Sequence, residues 1–109
     1  MTPLQVAVHI EKLIDAIREE GANSVSLIQA KADTSRVYDK AIAVRSVELR
    51  ADGVPATLIE KQAKGDASQL LSEKIVAEES LKAHFNRIDY LKAQLNGFQS
   101  INRHLDSTG

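Results

Sequence analysis

Few side chains in this sequence are spaced for chemistry, and His84 is the best placed of them. Ser80 precedes it by four residues and Arg87 follows it by three, so the three share one face of any helix through LKAHFNRIDYLKAQLNGFQSINRHLD, residues 81–106. A serine beside a histidine points to nucleophilic acyl transfer. That chemistry also needs an oriented carboxylate and an oxyanion pocket, and a serine inside a helical run sits on neither a strained elbow nor a glycine-rich loop. His84 is therefore expected to be structural, satisfied by Ser80 or by a partner across a helix interface. Proton sensing is the sharper alternative, because imidazole titrates in the physiological range. A metal would want two ligands on one face, and His9, His84 and His104 have no histidine neighbour at that spacing.

The other candidates dissolve into ordinary helix chemistry. The stretch AKGD, residues 63–66, lacks the spacing of a phosphate loop and is explained by Gly65 ending one helix and Asp66 capping the next. Glu60 with Lys64, and Glu78 with Lys82, stand four apart as solvated helix pairs. Cysteine is absent, which removes disulfide and thiolate chemistry. No catalytic residue, metal or cofactor is expected, and the chain reads as non-enzymatic.

Charge narrows the partners. Residues 1–54 hold seven basic and eight acidic side chains and residues 55–109 seven of each, giving a net charge of -1. Phosphate binding wants clustered cations, so nucleic acid is disfavoured. Lys61, Lys64, Lys74, Lys82, Arg87 and Lys92 could still gather on one side of an oligomer, which is the basis of the alternative reading, a nucleic-acid-associated accessory protein. The opening MTPLQVAVHI has no basic n-region, and His9 and Glu11 interrupt its apolar run, so neither a signal peptide nor a membrane span is expected there and the cytoplasm is the default location.

The elements that must position these residues are helices. At 43% apolar content with two Phe, two Tyr and no Trp, the core has to be thin and aliphatic, as between paired helices. Thr2-Pro3-Leu4-Gln5 spells a capping box with proline at the first helical position. The face Ile10, Ile14, Ile17, Gly21, Val25, Ile28 and Ala32 then runs on without losing register, which favours one helix over about 3–50 and opposes a break at Gly21. Ala51-Asp52-Gly53-Val54-Pro55 forces a turn. A short helix to about residue 65 follows, with Thr57 as its cap, and then a last helix over about 67–104, capped by Asp66 and Gln69.

That last helix carries a heptad seam. Leu70, Lys74, Ala77, Leu81, His84, Ile88, Leu91, Leu95, Phe98, Asn102 and Leu105 alternate in steps of four and three. Asn102 is expected to set register through an amide partner, and Gly97 to mark a kink or a close backbone approach. The fold expected is one all-α domain over residues 1–109: an antiparallel long-helix hairpin, coiled-coil-like, with a short elbow helix. Leu71, Ile75, Val76, Phe85, Tyr90 and Ile101 lie beside or beyond the seam with no third layer to bury them. Association into a helical bundle is therefore expected, a homodimer first, with Leu71, Ile75, Leu81, His84, Phe85, Ile88, Leu91, Leu95, Phe98 and Asn102 as its interface.

The order of capped helix, GVPATLIEKQAKGD elbow and AEESLKAHFNRIDYLKAQLNGFQSINRHLD resembles small all-helical proteins from the replication and recombination regions of temperate bacteriophages and prophages. The resemblance spans most of the chain, with the elbow and the SINRHL ending as its distinctive parts. It implies a helical hairpin that binds other proteins, and it assigns no catalytic or ligand residue.

Overall fold

The computed structural model describes residues 1–108, and every regular element in it is helical: α1 Pro3–Ala51, α2 Ala56–Asp66 and α3 Ser68–Thr108. The chain is an all-α helical hairpin with a short elbow helix. α1 starts where its capping box says it should. The Thr2 amide donates to Gln5 Oε1 at 2.9 Å and the Gln5 amide donates to Thr2 Oγ1 at 3.2 Å, so two amides left over at a helix start are satisfied reciprocally. Gly21 does not break the helix, which is continuous for 49 residues.

α1 ends in a Schellman turn. The Val54 amide reaches back to the Leu49 carbonyl at 3.0 Å and the Gly53 amide to the Arg50 carbonyl at 3.1 Å. Gly53 has φ of 83°, a left-handed conformation in which a Cβ meets the following carbonyl. Val54 then packs on the cluster of Leu49, Ile59 and Ala63, the apolar contact that accompanies this cap. Gly53→Ala should lower unfolding free energy by about 1–2 kcal/mol through this strain alone, since nothing crowds the position. A urea midpoint that does not move would refute this.

Three expectations for the elbow are corrected. Thr57 makes no cap: Pro55 holds the cap position of α2 and no side chain bonds there. Gly65 does not end α2, because its backbone stays helical, and the interruption falls at Ala67, with φ of -98° and ψ of 15°. Asp66 is thus the last residue of α2 instead of the cap of α3, and its carboxylate accepts from Arg45 Nε at 2.8 Å. A cross-helix cation outcompetes a local cap for the same oxygen. Glu60 and Lys64 pair as expected at 2.8 Å. The ammonium holds the Glu60 carboxyl below its usual range, and the carboxylate raises Lys64 in return. Both side chains lie in solvent, so the pair adds little to stability.

The long helices pack as two units, Ser26–Leu81 and the pairing of Met1–Val25 with α3 from Lys82 onward. In the first, Leu27, Ala30, Thr34, Tyr38, Ala41, Arg45 and Leu49 of α1 turn inward. The centre is the Leu49, Ile59 and Ala63 cluster, flanked by Ile42 and Val54. Lys74 lies 5.2 Å from the Tyr38 ring centre, a cation over an aromatic face. In the second unit, Val6, Ile10, Leu13, Ile17, Glu20 and Ser24 of α1 turn inward, and His9 stacks on Phe98 at 4.8 Å between ring centres.

On α3 every expected seam position, Leu70 through Leu105, is buried or half-buried. On α1 the expected face is shifted. Ile14, Gly21, Val25, Ile28 and Ala32 are exposed, and the covered face lies about one residue's rotation to one side, passing through Glu20 and Ser24.

Candidate functional site

The shift on α1 explains His84. This side chain is 4% exposed, and it meets the two polar residues named on the inward face of α1 in its own unit, Glu20 and Ser24, one turn apart. Ser24 Oγ lies 2.7 Å from His84 Nε2, and Glu20 Oε2 lies 3.2 Å from Nδ1. Arg87, one turn beyond His84 on α3, donates from Nε to Glu20 Oε1 at 2.6 Å. Ser80, the expected local partner, is exposed, and the bond is made across the helix pair.

The donors and acceptors close. An ionised carboxylate only accepts, so His84 Nδ1–H donates to Glu20, while the Ser24 hydroxyl, able both to donate and to accept, meets Nε2. Arg87 balances the Glu20 charge, and both carboxylate oxygens are engaged. Among the described residues no buried side-chain nitrogen or oxygen lacks a partner. A buried polar layer of this kind is worth its desolvation only when fully satisfied, and here it is.

Serine, histidine and a carboxylate stand in the order of a hydrolase relay, which calls for a comparison of parts. A relay acts on a carbonyl whose developing oxyanion is met by aimed N–H donors. Ser24 lies within α1, where the backbone amides are committed to carbonyls four residues earlier. What the geometry does supply is register. Sliding α1 against α3 by one turn would put only one of Ser24 and Glu20 in reach of His84 and break at least one of the two contacts, which costs about 1–3 kcal/mol for each unsatisfied group.

The remaining site residues divide by burial. Leu81 and Leu91 are buried with His84, while Leu71, Ile88, Leu95, Phe98 and Asn102 are half-buried. Ile75 and Phe85 are exposed at 48% and 43%. Most of the residues expected at an interface between chains are thus taken up in contacts within this one. Among the described residues none answers the Asn102 amide with a hydrogen bond. Gly97 has nothing within 4 Å of where a Cβ would stand, so no backbone approaches it closely. Of the six cations considered for nucleic acid, Lys64 and Arg87 are neutralised by carboxylates and Lys74 lies over Tyr38.

Glu20 and Ser24 are the residues that sequence reasoning missed. Their only signal was an absence, an α1 pattern in which apolar residues lapse for one turn opposite the one histidine on the α3 seam. No described helix is long and apolar enough to cross a membrane. No group of three or more histidine, cysteine or acidic side chains among the described residues is arranged to hold a metal. Comparison with protein families, with curated proteins and with solved structures finds no match.

Proposed function

We propose that this chain is a non-enzymatic helical assembly factor that self-associates, as a dimer first, and presents its remaining grooves to a partner protein. The observation that carries this reading is the apolar surface left in water on both units: Val25 is 74% exposed, Val47 64%, Val76 64% and Tyr90 63%. Among the described residues, Leu49 and Val6 are the largest side chains sealed completely. Full burial of a large apolar side chain is worth about 1.5–3 kcal/mol, so covering several of them in an assembly is a large gain beside a domain stability of about 5–15 kcal/mol. An open apolar groove between α1 and α3 in the Ser26–Leu81 unit, walled by Leu27, Ala30, Val76 and Ala77, is suited to one face of an amphipathic helix.

The resemblance to phage proteins suggests that such a partner belongs to phage replication or recombination machinery, acting in the host cytoplasm. Light scattering across a concentration series tests the first step. The expected result is a mass of two or more chains that falls on dilution, with a melting temperature that rises with protein concentration, as mass action requires of a coupled assembly. A single-chain mass at all concentrations, with a constant melting temperature, would remove the reading.

A further inference from the structure

Glu20 divides one negative charge between two nitrogen donors, and its two contacts are unequal. Oε1 receives Arg87 Nε at 2.6 Å, whereas Oε2 lies 3.2 Å from His84 Nδ1, longer than the roughly 2.7–2.9 Å expected between a carboxylate and a charged nitrogen donor. The carboxylate is thus held mainly by Arg87. A ring that gained a proton would draw the same carboxylate toward itself.

The two donors meet water differently. His84 is enclosed between the helices, whereas the Arg87 side chain is 60% exposed and can leave Glu20 for solvent at little cost. Solvent and salt screen a contact at the rim far more than one inside the layer. Ser24 removes the usual obstacle to charging a buried imidazole. Its hydroxyl, 2.7 Å from Nε2, donates to a neutral ring and, after rotation about its C–O bond, accepts from a charged one. The charged groups that face the ring are Glu20 from α1 and, through Glu20, Arg87 from α3, and both belong to the unit that holds the ring.

We infer that this layer is a proton-linked charge exchange: when His84 gains a proton, Glu20 turns to the ring and Arg87 is released as a free cation on the surface of α3. The register of the helix pair survives in both states, because Ser24 and Glu20 stay bonded to the ring. What changes is the charge shown to solvent. A proton on His84 and an acidic group bound to the released Arg87 then raise each other's affinity by the same factor. Imidazole suits such a device because it titrates in the physiological range. The exchange lies within one chain and does not depend on self-association.

Nitrogen NMR of the whole chain over about pH 5–8 tests the exchange, following the His84 ring and Arg87 Nε together. The Arg87 resonance is expected to move with the same midpoint as the ring in the parent and to stay still in His84→Gln. Arg87→Gln, at an exposed position, is expected to raise the ring's proton affinity about threefold or more, because Glu20 is left wholly to the ring. Arg87→Lys keeps a cation at the rim and should stay near the parent. Glu20→Gln removes the counter-charge and should lower the affinity about threefold or more. Arg87→Gln decides alone where a variant in the layer fails to fold. An unchanged proton affinity in Arg87→Gln, or an Arg87 resonance that ignores the titration of the ring, would overturn the exchange. So would a ring that keeps one charge state over this range in the folded parent.

Discussion

His84→Ala should lower unfolding free energy by about 2–4 kcal/mol, although it removes no large apolar side chain. The loss arises from what remains: Ser24 loses its ring partner and one Glu20 oxygen loses its donor in a partly enclosed layer. Leaving a buried donor or acceptor unsatisfied costs about 1–3 kcal/mol for each group, and the Glu20 share is the smaller because Glu20 is 23% exposed and keeps Arg87. The decisive comparison is the all-apolar layer Glu20→Leu, Ser24→Ala, His84→Leu. It should recover most of the loss or exceed the parent, because apolar replacement of a complete buried polar group is commonly neutral or stabilising. Denaturant midpoints of parent, single and triple variants provide the test. If His84→Ala costs less than about 1 kcal/mol, the layer does not hold the helix pair in register.

Leu49→Ala is the second large effect, about 2–5 kcal/mol. Leu49 is 1% exposed and lies at the centre of the Ser26–Leu81 unit, where it touches Ile59 and Ala63 with Ile42 and Val54 around it. It is also the residue whose carbonyl accepts the Schellman bond from Val54. Truncation removes transfer free energy and leaves a cavity between helices whose backbones are held by that turn. Val47→Ala, two residues away and 64% exposed, is the control and should stay within about 0.5 kcal/mol. Equal losses at the two positions would mean that the cluster is not the core of its unit.

The sequence by itself determined the helices, their main turn and the buried face of α3. The capping box at Thr2 and Gln5 and the glycine at position 53 act through bonds within a few residues, so their meaning is local and legible. The α3 seam was legible because its apolar residues recur at heptad spacing along one line, and even its histidine could be placed by position. The face of α1 was not. Apolar spacing marks Ile14, Gly21, Val25 and Ile28 as a stripe but cannot say whether this chain or another covers it. Glu20 and Ser24 give no periodic signal as core residues, since what makes them acceptable inside is a histidine 60 and more positions along the chain. Only packing α1 against α3 decided which of two neighbouring stripes was buried. A polar residue can be covered once its hydrogen bonds are met, and that condition is fixed in space and is invisible in local order.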